Sequence, residues 1–238
     1  PKSVTSIGEG AFVGCSGLTA FTVDALNSAY SSLAGVLFNK TQDTLVEYPP
    51  GKSGSYAIPN SVTSIGNFAF FCCSGLTSVT IPNSVTSIGG WAFAQCPGLT
   101  TVTIGNGVSK IGNEAFAYCT VLSAVFFRGD APTIVGSDLF WLVPNVIVYY
   151  RQGTEGCAVS FAGRPGVLWD AVIPGFGITT NGFGFRITGT GDIPVVVEAS
   201  TDLAGGAWVP LQTATITGNF FDFVDPGWTN YAARFYRF

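Results

Sequence analysis

Thiols and acids are the side chains of this chain with chemical potential. Six cysteines are present, and four of them, Cys15, Cys73, Cys96 and Cys119, stand at one position of a recurring text. Cysteines at regular spacing serve as disulfides, soft-metal ligands or nucleophiles. If the recurring text folds into stacked coils, equivalent residues lie about 4.8 Å apart, slightly too far for an ideal Cβ separation across a disulfide. With no C-x-x-C pair and no histidine beside them, metal binding has little support. The four read as small buried apolar residues that close each coil. Cys72 and Cys157 are left over, and the sequence does not decide whether they pair.

The lack of histidine removes the Ser-His-Asp, Cys-His and His-Glu-x-x-His schemes. Gly51-Lys52-Ser53 has the ending of a phosphate loop, but Val46 stands where its first glycine belongs and Pro49-Pro50 stiffens the approach, so it reads as a turn. Gly175-x-Gly177 and Gly182-x-Gly184 lie among phenylalanines with no helix to follow, which is no dinucleotide fingerprint. Fourteen acidic residues leave a carboxylate pair for glycan hydrolysis as one alternative, although the repeat places none. Asp222 and Asp225 stand beside Pro226 and read as a turn rather than a Ca²⁺ site. No catalytic residue, no metal and no cofactor is expected, and the chain reads as a non-enzyme.

The elements that position these side chains are repeats. Ile58-Pro-Asn-Ser-Val62-Thr-Ser-Ile65-Gly66 returns at Ile81 to Gly89 and, more loosely, at Ile104 to Gly112, a constant 23 residues apart. Each copy continues through Ala-Phe, a cysteine and a leucine: Ala69-Phe70, Cys73, Leu76; Ala92-Phe93, Cys96, Leu99; Ala115-Phe116, Cys119, Leu122. Another copy opens the chain, with Val4, Ile7, Ala11-Phe12, Cys15 and Leu18. A period in the twenties specifies stacked coils, each burying its apolar edge on its neighbours. Within one coil, Leu76-x-x-Val79-x-Ile81 predicts a strand and Pro82-Asn83 a turn. A second extended stretch then buries Val85 and Ile88, and Trp91 to Gln95 make about one helical turn.

This pattern, I-P-x-S-V-T-S-I-G-x-x-A-F-x-x-C-x-x-L, resembles the BspA-type leucine-rich repeats of bacterial surface proteins. The resemblance covers roughly residues 1–128 and implies a mainly β leucine-rich-repeat solenoid with short helical turns. Residues from about 23 to 58 depart from the unit by a 12-residue enlargement, which resembles the hairpin-bearing repeat variant of that family and is expected to project from the array. After Phe127 the period fails. Residues 129–172 are expected to supply a terminal strand (Val146 to Tyr150) and a cap around Gly163-Arg164-Pro165, and residues 173–238 a small antiparallel sheet or sandwich. That last segment resembles the β-rich modules that follow such repeats in large secreted proteins of environmental bacteria.

Composition narrows the partners. Hydrophobic residues make up 47% and charged residues only 10%, against about 25% in ordinary globular chains, so part of the surface is either Ser/Thr-covered or buried in an assembly. A net charge of −4 argues against nucleic acid and anionic membranes, and no apolar run reaches the length of a membrane span. The chain has no methionine and reads as a processed product or a fragment of a secreted or cell-surface protein.

Two surface features stand out. Hydroxyls recur at Thr5/Ser6, Thr63/Ser64, Thr86/Ser87 and Ser109, and again at Thr22, Thr80 and Thr103, on what reads as a solvated face. Phe68 and Trp91 share one variable position of the repeat, as a contact patch or as rings half-buried on the next coil. Asn39-Lys40-Thr41 is a glycosylation sequon.

The expected function is an extracellular structural protein that self-associates head to tail into a fibre or surface layer. The first coil, with Pro1, Val4 and Ile7, lacks its leading strand, and the chain finishes in the alternating Arg234-Phe235-Tyr236-Arg237-Phe238, so one copy's end can cover the next copy's start. The alternative is a monomeric adhesin that binds matrix protein, host protein or glycan through the repeat face.

Overall fold

Alternation of apolar and hydroxyl residues makes each repeat an extended run with one buried side, and a bend is needed wherever the buried side must turn inward again. The computed structural model describes residues 1–151, 154–156, 160–168, 176–179, 182–188, 193–202, 207–216, 220–231 and 233–237. They form two units, Pro1–Val167 and Leu168–Phe238.

Unit 1 is a solenoid with two parallel walls. The first coil, residues 1–24, contributes no strand. The enlarged second coil holds an antiparallel meander, β1 (Tyr30–Leu33), β2 (Val36–Asn39) and β3 (Thr44–Glu47), and then β4 (Gly54–Ala57). Later coils alternate between the walls: β5 (Ser64–Ile65), β6 (Leu76–Ile81), β7 (Ser87–Ile88), β8 (Thr101–Ile104), β9 (Lys110–Gly112), β10 (Ala124–Phe127), β11 (Thr133–Val135) and β12 (Ile147–Tyr150). A hairpin of β13 (Ser160–Phe161) and β14 (Arg164–Leu168) follows. Sheet A runs β1-β2-β3-β5-β7-β9-β11 and sheet B runs β13-β14-β12-β10-β8-β6-β4. From β3 on, the coil-to-coil pairs are parallel, and Ile65, Ile88 and Ile111 fall in register, as the 23-residue period requires.

The structure departs from the sequence pattern in three places. The insertion does not project: β1 and β2 lie in sheet A, because Val36, Leu37 and Phe38 are apolar in succession and all become buried. The period does not fail at Phe127 either. A sixth coil occupies 129–150, with β11 beside β9 and β12 beside β10, and with Leu139, Phe140, Val143 and Val146 buried. Its corner is one residue longer and Val143 replaces the cysteine, which hid it from the repeat pattern.

The third correction concerns the expected helical turn. Trp91 and Gln95 take left-handed conformations (φ 56° and 57°), and so do their equivalents Phe68 and Cys72, Glu114 and Tyr118, Asp138 and Leu142. The first coil fills both places with glycine, Gly10 and Gly14. Two left-handed residues four apart stop a helix and turn alternate N–H groups toward the next coil. Trp91, Phe93 and Gln95 thus donate to the carbonyls of Asn113 (2.9 Å), Ala115 (2.8 Å) and Ala117 (2.9 Å). A non-glycine left-handed residue costs about 1–2 kcal/mol. That cost is offset by the phenylalanine the corner drives inward, since full burial of such a side chain contributes about 1.5–3 kcal/mol. The result is a column of rings, Tyr48–Phe70–Phe93–Phe116–Phe140, with centroids 5.0, 4.6, 5.2 and 5.9 Å apart. Tyr48 enters the column by a shortcut: Tyr48-Pro49-Pro50-Gly51 links β3 to β4 without a corner.

Unit 2 has two three-stranded antiparallel sheets. The strands are β15 (Phe176–Thr179), β16 (Gly182–Thr188), β17 (Ile193–Ser200), β18 (Val209–Ile216), β19 (Phe220–Asp225) and β20 (Phe235–Arg237). One sheet runs β15-β16-β19 and the other β18-β17-β20. Phe185, Ile187 and Phe223 of the first share a core with Val195, Val197 and Ile216 of the second, so the two sheets form a sandwich.

Candidate functional site

The repeat rows that looked most like chemistry turn out to tie coils together. Cys96 Sγ lies 3.0 Å from the Phe70 carbonyl and Cys119 Sγ lies 3.0 Å from the Phe93 carbonyl, each a thiol donating to the preceding coil. Cys73 bonds Tyr48 O more loosely, at 3.8 Å. All three are fully buried. The adjoining Cys96 thiol, with burial, holds the Cys119 thiol far above the usual thiol range. Only Cys15, on the first coil, is exposed among the four repeat cysteines. Cys72 is half-buried and donates to Gln95 Oε1 at 3.2 Å, while Cys157 lies outside the described residues.

The hydroxyl row through Thr63, Thr86 and Ser109 is a ladder too. Thr86 and Ser109 donate to the carbonyls of Thr63 and Thr86 one coil back, both at 3.2 Å, and Ser64 and Ser87 hydroxyls meet at 3.1 Å. A further row, Thr77–Thr100–Ser123, does the same on the other wall (2.9 and 3.3 Å). An asparagine row was missed: Asn67 and Asn113 accept from the N–H of Gly90 and Ser137, both at 2.8 Å. Its sequence signal was the asparagine that follows Ile-Gly at Asn67 and Asn113.

Phe68 and Trp91 come together. Their rings stack at 6.4 Å with planes 13° apart, half-buried on the outside of the corners, where Phe71, Ala94, Ala117, Cys72 and Tyr118 complete a cluster separate from the main core. Phe71 also meets Trp91 edge-on at 6.2 Å. At that separation the two nearly parallel rings are offset, so they form a continuous apolar ridge along the corners.

Pro1 is exposed and Val4 and Ile7 are half-buried, whereas their equivalents Val62 and Ile65 are 0% and 1% exposed. With Phe12, Phe21 and Val23 they line an apolar hollow of about 210 Å³. Tyr236 is committed to unit 2: its ring stacks on Phe183 at 5.1 Å and its hydroxyl donates to Asp225 at 2.9 Å. Phe235 is half-buried on β20, which pairs with β17, and Phe238 lies outside the described residues. Asn39 is built into a turn, its amide donating to Asp43 at 2.6 Å and its carbonyl accepting from Thr44 N–H at 3.1 Å.

A larger concavity was not anticipated. Sheet B continues past the sixth coil into β14 and β13, but sheet A stops at β11. Beside that edge lies a recess of about 1020 Å³, bordered by Ile134, Phe140, Trp141, Leu142, Val143 and Arg164. Val135, Trp141 and Leu142 are 55%, 48% and 57% exposed. Arg164 half-closes it by donating to the carbonyls of Phe140 (3.0 Å) and Pro144 (3.4 Å). Among the described residues no three His, Cys, Asp or Glu side chains converge as a metal site would need. No helix there is long and apolar enough to cross a membrane.

Comparison with known proteins agrees with this architecture. The BspA type leucine rich repeat region matches residues 1–49 and 52–145, in six copies. A leucine-rich repeat protein from Eubacterium ventriosum is similar at 29% identity and a TM-score of 0.58, over 64% of this chain and 41% of that one. A leucine rich cell surface protein from Faecalibacterium prausnitzii is similar at 26% identity and a TM-score of 0.58, over 72% of this chain and 47% of that one. The chain thus spans less than half of either structure. No curated protein matches it.

Proposed function

Because the chain belongs to the BspA-type leucine-rich repeat family, we propose that it is a non-catalytic extracellular surface protein whose array associates end to end into a fibre or layer. The observation that carries this reading is the open end of sheet A. There the sixth coil leaves a terminal strand and an apolar recess of about 1020 Å³, although sheet B beside it is capped by a hairpin. Such a surface is a liability in a free monomer and an asset in an assembly. The 10% charge, with ladders that turn hydroxyls toward backbone carbonyls, supports the same reading by leaving few charges to keep copies apart. Support for an extracellular place comes from the family and from the similar Faecalibacterium prausnitzii protein, itself described as a cell surface protein. Sedimentation or light scattering of the chain across a concentration range tests the proposal: growth of mass with concentration is expected, and a monomer throughout defeats it.

A second reading rests on the corner cluster of Phe68, Phe71, Trp91 and Tyr118, an apolar outer ridge rigidified by stacking. As an adhesin the protein would press this ridge against a matrix or host protein, or a glycan. Its signature is a specific signal on a protein or glycan array that Trp91→Ala abolishes. A signal that survives that substitution rejects the ridge as the contact.

A further inference from the structure

Asparagine is a thermolabile residue, and an asparagine followed by glycine is its most reactive form. The glycine nitrogen attacks the side-chain carbonyl carbon of the asparagine, and with no Cβ on the glycine nothing shields that approach. In a folded chain the reaction needs three conditions together. The asparagine amide must be uncommitted, the glycine N–H must be uncommitted, and the pair must stand in solvent.

Most asparagines of the array miss these conditions. Asn27 is buried with its side chain in four hydrogen bonds. Asn39 is held by Asp43 and Thr44, Asn67 by Glu9 and Gly90, and Asn113 by Glu114 and Ser137. Asn60 and Asn83 are followed by serine and Asn145 by the branched Val146. Asn106 differs from all of them. Gly107 follows it, and it is exposed at the turn Gly105-Asn106-Gly107. Its backbone N–H donates to Asn83 Oδ1 at 3.1 Å, but among the described residues neither its side-chain amide nor the Gly107 N–H meets a hydrogen-bond partner. The sequence has a second such pair, Asn181-Gly182, of which Asn181 lies outside the described residues.

We propose that Asn106 is a site of spontaneous deamidation in the folded array. The Gly107 nitrogen bonds to the Asn106 side-chain carbon and gives its proton to the departing amide, which leaves as ammonia. Water then opens the resulting succinimide ring at one of its two carbonyls, giving aspartate or isoaspartate. Water is the sole co-reactant. Either product adds a carboxylate to a chain whose net charge is already −4. Isoaspartate also routes the main chain through the former side chain, which inserts one methylene into the turn. The stack leaves no room for it. Gly107 packs so closely on the Asn83 carbonyl that a Cβ does not fit there, and a Cβ on Gly129 would stand 2.7 Å from the Asn106 Cα. Extra methylenes in such packing force the backbone to shift. The reaction is therefore a slow clock on the middle of the array, and it is independent of the end-to-end reading.

The test is site-resolved peptide mapping, by electron-transfer mass spectrometry, of the whole chain aged folded in warm, mildly alkaline buffer. A sample aged in urea and an Asn106→Asp variant run beside it. The expected result is conversion at Asn106 in the folded chain ahead of Asn27, Asn39, Asn67 and Asn113, with both aspartate and isoaspartate formed. Isoaspartyl material should melt at a lower temperature than fresh chain, whereas Asn106→Asp, which gains the charge without the methylene, should melt close to it. An Asn106 that remains an amide in the folded chain after the urea sample has converted overturns the proposal, because the turn then protects it. Earlier conversion at Asn67 or Asn113 overturns it as well, since their amides are committed. Isoaspartyl material that melts with the fresh chain overturns the clock.

Discussion

Replacing Glu47 by glutamine is expected to stabilise the array by an amount that depends on pH. Glu47 ends β3, just before the Tyr48-Pro49-Pro50 shortcut, and is 5% exposed. Burial pushes its carboxyl from the ordinary 4.5 up to about 8. The folded chain therefore keeps this group protonated at pH values where the unfolded chain has already released the proton. For an acid whose folded value is raised, stability is greatest below the unfolded value. It falls as pH climbs from 4.5 toward 8 and levels off above that, where both states are ionised. Each pH unit in that window costs about 1.4 kcal/mol, so the penalty at pH 7 has an upper bound of about 3.5 kcal/mol. Local relaxation and water entry reduce it to about 2 kcal/mol. Glutamine keeps the shape and cannot ionise, so the variant escapes the penalty. Urea denaturation of both proteins at pH 4, 5.5 and 7 isolates the effect, because every other titrating group is common to the pair. Near-equal stability at pH 4 and a gain of about 2 kcal/mol at pH 7 are expected, or about 4–8 °C in melting temperature for an array of this size. A glutamine variant less stable at pH 7 than at pH 4, relative to wild type, would show that the carboxylate is held as an ion and refute the reasoning.

Other consequences follow from the same packing. Phe93→Ala, at the middle of the ring column and 0% exposed, should cost about 3–5 kcal/mol by denaturant titration, and a loss below about 1 kcal/mol would mean the column is not a close-packed core. Thiol labelling of the native protein should modify Cys15 rapidly and leave Cys73, Cys96 and Cys119 unmodified until unfolding; early reaction of any of the three contradicts their burial. At Gln95, with φ 57°, glycine should be more stable than alanine by about 1 kcal/mol, and the reverse order would contradict a left-handed corner.

The mid-array coils were legible because one 23-residue period encodes them several times over, and Ile65, Ile88 and Ile111 fall in register as that spacing requires. Departures from the period were harder to read. The sixth coil keeps Phe140 in the ring column but adds a corner residue and trades cysteine for Val143, so its text no longer matches while its apolar pattern does. The left-handed corners escaped because Trp91, Gln95, Glu114 and Tyr118 are not residues that advertise positive φ; only Gly10 and Gly14 carried the signal. Phe68 and Trp91 were found as a pair, since they share a repeat position, but Phe71 and Tyr118 joined them through a corner geometry the sequence did not display. Trp141 and Leu142 stand at the repeat positions of Ala117 and Tyr118, but the extra corner residue shifts them out of the 23-residue count. Their meaning depends on which strand ends sheet A, and that is a matter of tertiary arrangement.

Electron microscopy of the wild-type chain at rising concentration tests end-to-end association most directly. Linear or ring-shaped assemblies of repeating particles are the predicted result. Isolated particles at every concentration would contradict it.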